Sequence, residues 1–307
     1  MSETVLVAGS SGRLGRRLVR RLKADGYRIR VLARDPQRLG SIADQVDEVV
    51  RGDLTAIMDP AACAGATLVF SCASASTRLL DADDETSFES VNHYGNVGLL
   101  RAALRAGVGR FVFVAPLGSE RLAHTAYGGA HERFIATLHR SPMPHTVVRA
   151  TAGFECIEEA MTLLRAGHPW LFGESERRTN PIHEADLADF CVRALDTDHT
   201  EATVGGPRSF CRCEIARIAR TALAESPPRY GGQAVRVRPV LRRTNPRIAD
   251  LLEFGSAIGG LDVVAPEHGS RDLELHMRAF AARRAQPAEA PAIPAGSDLQ
   301  GTSVWPV

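Results

Sequence analysis

Through the first half of the chain, short apolar runs alternate with amphipathic stretches. Residues 5–8 (VLVA) are apolar throughout, the pattern of a strand covered on both faces within a parallel sheet. Leu14, Leu18, Val19 and Leu22 then recur at helical spacing, with Arg16, Arg17, Arg20 and Arg21 on the opposite face and Gly26 as a stop. The same alternation predicts strands at 29–32, 46–50, 68–70, 110–114 and 145–148, with helices at 90–106 and 127–138 between them. Such a βαβ rhythm specifies an α/β fold built on a doubly wound parallel sheet.

After Arg149 the pattern loosens. Helices are expected at 155–166, 184–195, 214–223 and from Pro246 to Phe254, and a late strand at 235–240. The expected organisation is a dinucleotide-binding core over residues 1–150, a small C-terminal substrate-side lobe over 151–285 interleaved with it, and a Pro/Ala-rich tail over 286–307.

Composition narrows the class. The net charge of +1 gives no general attraction to nucleic acid or to a membrane surface, and neither is expected as a partner. No apolar run reaches the ~18 residues of a membrane-crossing helix, and residues 5–8 with Glu3 before them do not make a secretion signal. A cytoplasmic protein acting as a monomer or homodimer is therefore expected. In that setting the six cysteines read as free thiols. Cys211 and Cys213 are close in sequence, but no second ligand pair accompanies them, so no metal site is expected.

The chemistry begins at Gly9-Ser10-Ser11-Gly12-Arg13-Leu14-Gly15, a GxxGxxG turn between the first strand and the first helix. Gly9 suits the tight turn out of the strand, Gly12 the approach of backbone N–H groups to a pyrophosphate, and Gly15 the packing of helix on sheet. The helix amino terminus adds partial positive charge. This is the turn of a Rossmann dinucleotide site.

The end of the second strand carries Arg34, a guanidinium suited to a 2′-phosphate, where an acidic residue would instead bind a ribose hydroxyl. Arg38 or Arg13 offers a second contact, and the cofactor expected is NADP(H). Asp35, one residue on, is read as a cap or turn residue before Pro36. Asp53, with Leu54 beside it, stands where it can accept from an adenine amino group, or else cap a turn.

The segments VLVAGSSGRLG, VLARDP, RGDLT, SVNHYGNVGLLRAALRAGVGRFVFV and NPIHEADLADF, in that order, resemble the atypical short-chain dehydrogenase/reductases, in particular their NmrA-like and divinyl-reductase-like NAD(P)H-binding branch. The resemblance spans residues 4–224. It implies NADP(H) binding with substrate entering over the carboxyl edge of the sheet. It also implies that Ala73 and Ser74 line the nicotinamide-side ribose and that Asn92 helps to shape the site. Members of that branch range from reductases of ketones or alkenes to redox sensors without turnover.

The family's tyrosine–lysine pair is incomplete. Tyr127 occupies the tyrosine position, but four residues later stands His131, and Lys23, the only lysine, lies on the first helix. Ala115-Pro116 takes the usual serine region, with Ser119 slightly late. Tyr127 as proton donor and His131 as ribose ligand or relay are the candidate catalytic groups, each weighed against ordinary packing. Phe154, Trp170, Leu171 and Phe172 offer an apolar pocket wall, and His183 a pocket-lining polar group. The expected activity is an NADPH-dependent reductase acting on a hydrophobic small molecule carrying a ketone or activated alkene. The alternatives are a redox-sensing NADP(H)-binding regulator and a non-redox isomerase or cyclase.

Overall fold

A computed structural model describes residues 2–79, 86–166, 175–224, 243 and 245–283. The expected strand at 235–240, the tail at 286–307 and the aromatic run Trp170–Phe172 lie outside the described residues.

Seven parallel strands form the central sheet. They are β1 (Thr4–Ala8), β2 (Arg28–Ala33), β3 (Glu48–Arg51), β4 (Leu68–Ser71), β5 (Arg110–Pro116), β6 (His145–Ala150) and β8 (Glu201–Val204). Their spatial order is β3-β2-β1-β4-β5-β6-β8. The order reverses direction between β1 and β4, which opens a crevice beyond their carboxyl ends, the place where doubly wound sheets bind ligands. A two-residue strand, β7 (Arg178–Thr179), pairs antiparallel with β9 (Phe210–Cys211).

Helices cover both faces. On one side α1 (Arg13–Ala24) packs on α5 (Glu184–Arg193), burying Leu18, Val19 and Leu22 with Leu187, Ala188 and Cys191 against Val5, Val7 and Ile29. On the other side lie α2 (Asn96–Arg105) and α3 (Ala126–His139), whose Leu99, Leu100, Phe134 and Leu138 share a core with Leu6, Phe111 and Phe113. The central strands β1 and β4 are apolar nearly throughout because both of their faces are buried, whereas the edge strands β3 and β8 are partly exposed and carry polar residues. The expected long helix at 90–106 is two pieces: a wider π-helical segment, Glu89–Gly95, runs into α2.

The C-terminal lobe has its own core. Phe154, Ile157 and Met161 of α4 (Phe154–Arg165), Ile215 and Ala219 of α6 (Arg212–Leu223), and Met277 and Phe280 of a helix at Leu273–Arg283, here α8, cluster together. A further helix, α7 (Pro246–Gly259), packs on α3. The stretch after Ala150 is threaded through the fold: β8 returns to the main sheet and α5 to α1, while α4, α6 and α8 build the lobe.

The cysteines depart from the expectation of free thiols. Cys211 and Cys213 form a disulfide, because the turn from β9 into α6 brings their Cα atoms to 5.3 Å. The other four are free thiols. The Glu176 carboxylate lies with the two sulfurs in one small cluster.

Candidate functional site

The glycine turn leaves β1 at the crevice. Gly9 has φ +81°, and a Cβ there would lie 2.7 Å from the Cys72 carbonyl group, so the left-handed turn and the close approach of two chain segments both require glycine. A Cβ on Gly15 would strike the Gly9 carbonyl oxygen. The N-cap of α1 is Gly12, no side chain caps the helix, and no acidic residue sits in its first turn. Its amino-terminal dipole is therefore uncompensated locally, a setting that favours an anion. Ser10 Oγ is buried in the same turn with no hydrogen-bond partner among the described residues.

The turn opens into a cleft of about 1310 Å³, larger than the about 300–1000 Å³ of most small-molecule sites. Arg34 and Arg38 stand on its lining, as do Ser11, Gly12 and Leu14, then Cys72 and Ser74 beyond β4, and Glu155, Cys156 and Glu159 on α4. Three expectations meet here: the glycine turn, Arg34 and Ser74 line one cavity. Ala73 is buried just behind it. The donor set fits a dinucleotide: a cradle that tolerates only glycine, an uncapped helix terminus, an unpartnered buried hydroxyl and two guanidinium groups.

Asp35 caps the turn that follows β2, its Oδ1 accepting from Gln37 N at 3.0 Å. Asp53 lies outside the cleft lining. Its Oδ1 accepts from the Thr55 N–H and hydroxyl, both at 2.8 Å, and its Oδ2 lies 3.8 Å from Arg34 Nη1. This is the turn-capping geometry, with the added effect of steadying Arg34. Leu54 packs inward against the core. Arg13 turns away from Arg34: it forms ion pairs with Glu158 and, at 3.5 Å, with Glu155 of α4.

The loop after β4 is held by two asparagines. Asn92 Oδ1 accepts from Ala75 N at 2.8 Å, while Asn96 bonds the Ser71 hydroxyl and reaches the carbonyls of Val91 and Asn92. Both side chains are fully buried. Asn96 was not singled out from sequence; a buried polar residue on the apolar side of a helix is the signal that marks it.

Tyr127 is half-buried, its ring edge-on to Phe88, His131 and Phe254 at 4.7–4.9 Å. Burial pushes its phenol well above the ordinary range, and the Ser74 hydroxyl beside it opposes that only in part. His131 is 3% exposed and is not on the cleft lining. Its Nδ1 lies 3.0 Å from the Tyr127 carbonyl oxygen, and burial drives it down to about 4. It packs as a neutral core residue, since a buried imidazole without an acidic partner cannot hold a charge. Ser119 is likewise turned inward, bonded to Pro116 O and Glu132.

Of the expected pocket wall, Phe154 alone lies among the described residues, and it does not line the cleft. Phe154 is 1% exposed and forms part of the lobe core, because its side of α4 faces α6 and α8 while Glu155 and Cys156 of the same turn face the cleft. His183 caps α5, its Nδ1 accepting from Ala185 N at 3.0 Å, and burial lowers it to about 4. The described lining combines hydroxyl groups and charge, among them Ser76, Thr77, Ser87, Ser90, Arg78, Glu155 and Glu159, with the apolar Leu14, Ala75 and Phe280. Glu155 was missed from sequence. Burial beside Glu184 raises it to about 7, with Arg13 opposing, whereas Glu158, bonded to His276 and Arg13, falls to about 2.

Comparison with known proteins agrees with this geometry. A family model described as NAD(P)H-binding matches residues 9–198. The photosystem II assembly factor Ycf39 of Guillardia theta is 28% identical over 199 residues, covering 64% of this chain and 62% of that protein, so the chain spans about three fifths of that relative's length. The chloroplastic divinyl chlorophyllide a 8-vinyl-reductase of Zea mays is 28% identical over 226 residues, covering 66% of this chain and 55% of that protein. Among solved structures, the NADPH-dependent quinone oxidoreductase QOR2 of Escherichia coli, complexed with NADPH, superposes with a TM-score of 0.66 at 16% identity, covering 90% of this chain and 99% of that one, a likeness of fold. The chain belongs to the NAD(P)H-binding family, among the atypical short-chain dehydrogenase/reductase-like proteins.

Proposed function

We propose that the protein is an NADP(H)-dependent reductase of a small molecule carrying a ketone or an activated alkene. The observation that carries this reading is one continuous cleft joining Arg34 and Arg38, the glycine turn and Ser74. In it the glycine turn and the α1 amino terminus hold a pyrophosphate, Arg34 and Arg38 a 2′-phosphate, and Ser74 with the loop braced by Asn92 and Asn96 the second ribose. The nicotinamide supplies hydride when bound; the chain supplies orientation and partial exclusion of water. The 28% identity to a protein named as a vinyl reductase supports an alkene as substrate. Phe154 itself lies in the lobe core, and the described lining combines hydroxyl groups with the apolar Leu14, Ala75 and Phe280, so the hydrophobic character of the substrate does not rest on Phe154.

A second reading is an NADP(H)-binding protein without turnover. It is favoured by the inward packing of His131 at the position where the resembled family has lysine. Titration with NADPH and NADP⁺, followed by a screen of ketones and activated alkenes for loss of NADPH absorbance, separates the two. Consumption with any of them supports the reductase; tight binding with no consumption across a broad panel supports the second reading.

A further inference from the structure

The reduction of a ketone or alkene takes up one proton for every hydride, and the groups expected to give it are badly placed. Burial holds the Tyr127 phenol firmly protonated, and the His131 ring packed against it is itself neutral and enclosed between its own helix and Phe113. The arginines of the cleft stay charged. Burial pushes the Cys72 and Cys156 thiols of the lining up, and hydroxyl groups are weaker acids still, so the carboxylates of α4 are the described lining groups suited to give a proton near neutral pH, and their surroundings separate them.

Glu158 accepts from His276 Nε2 at 2.8 Å and holds the closer contact to Arg13. Glu159 accepts from the backbone N–H of Leu79. Glu155 is left with the longer contact to Arg13, 3.5 Å from Nε. Its own backbone N–H donates to Glu184 Oε1 at 2.8 Å, which sets a second carboxylate from α5 against it. The groups acting on it are therefore Arg13 from α1, Glu158 and Glu159 from its own helix, and Glu184 from α5. Its charge in turn bears on Cys156, on Cys72 at the end of β4 and on Tyr127 of α3. Burial, together with three like charges against one shared cation, favours the neutral acid, in keeping with its rise to about 7.

We propose that Glu155 is the proton-carrying residue of this cleft, held protonated when a dinucleotide lies against the glycine turn and presenting that proton on the cleft wall. The inference rests on the dinucleotide-binding reading above. A diphosphate on the α1 amino terminus adds negative charge next to Arg13 and disfavours the Glu155 carboxylate further. Binding then takes up a proton just above neutral pH, and affinity falls as pH rises through that window. In turnover, as hydride adds to one atom of the substrate's C=O or C=C bond and the bond's electron pair passes to the other, the carboxyl gives its proton to that second atom, becomes a carboxylate, and is reprotonated from solvent.

The test is calorimetric binding of NADP⁺ to the full chain, in two buffers of different ionisation enthalpy, for wild type and Glu155→Gln. The 2′-phosphate has its own ionisation near this range, so the quantity read is the difference between the two proteins. Between about pH 6.5 and about pH 8.5 the wild-type Kd is expected to rise by about tenfold more than that of the variant, with proton uptake that the variant lacks. Equal pH slopes and equal proton uptake, with both proteins binding, would overturn the inference and leave the dinucleotide reading intact. Absence of saturable binding by wild type at every pH would overturn both. Should Glu155→Gln fail to fold, Glu155→Asp serves: it is expected to keep the uptake with its pH midpoint displaced, and an undisplaced curve counts against Glu155.

Discussion

His131 Nδ1 lies 3.0 Å from the carbonyl oxygen of Tyr127, one helical turn earlier, and 3.5 Å from Asn92 Nδ2. The shorter contact assigns the proton to Nδ1, so the imidazole donates to its own helix and stays neutral. Its folded pKa of about 4 is below the ordinary 6.5, as is that of His183. A histidine held neutral in the fold but free to charge when unfolded weakens the fold in acid. Stability is therefore full above about pH 6.5 and falls towards pH 4, by up to about 3 kcal/mol for each histidine. Urea melts across that range check it, and His131→Leu should flatten the acid limb. The same variant should leave NADPH affinity within about twofold at neutral pH, since the side chain does not line the cleft. A tenfold loss of affinity would show that His131 reaches the ligand.

The fold was legible where local chemistry decided it. Strands β1, β4 and β5 announce themselves because burial on both faces demands apolar runs, while β2 and β3 show shorter runs broken by polar residues. The glycine turn was legible for a similar reason: Gly9 and Gly15 answer to constraints only a few residues away. Short β8, half-exposed along most of Glu201–Val204, carries no such run, and α8 has a mixed face that shows its role only once α4 and α6 are beside it. The site residues divide in the same way. Whether Phe154, His131 and His183 face a cleft or a core depends on which helices pack over them, and helical spacing is silent on that. Glu155 draws its character from Arg13 and Glu184, each remote in sequence.

Arg34 is half-exposed and held at 3.8 Å from Asp53, close enough to be oriented and free enough to engage a phosphate. Arg34→Ala should weaken NADPH binding by about tenfold or more, the scale of a charge-assisted phosphate contact, and change NADH binding by less than about threefold. Parallel titrations with the two nucleotides check it. Equal weakening would remove the preference for the 2′-phosphate.

Arg13 joins the first turn of the phosphate-binding helix to the lobe through Glu155 and Glu158. Arg13→Ala leaves Glu158 with His276 as its remaining bonded partner and should cost about 1–3 kcal/mol of stability. Amide exchange should quicken along α4 more than along α2, which packs on the other side of the sheet. Uniform exchange in both helices would mean that the pair does not couple lobe to turn.

The Cys211–Cys213 disulfide spans Arg212, a tryptic cleavage site. Digestion without reductant should release peptides 209–212 and 213–217 as one linked species that separates on reduction. Cys211 Sγ also caps α6 by accepting from Glu214 N at 3.1 Å, so Cys211→Ser, which keeps a capping oxygen, should change stability by less than about 1 kcal/mol. Separate peptides before reduction would exclude the bond.

The central claim is that the cleft beside Gly9–Gly15 binds a dinucleotide and prefers the one bearing a 2′-phosphate. Its most direct test is a fluorescence titration of the full chain with NADPH against NADH. Saturable binding of one NADPH per chain, tighter than NADH by about tenfold or more, is the result predicted. Absence of saturable binding by either nucleotide, or NADH bound as tightly as NADPH, would contradict it.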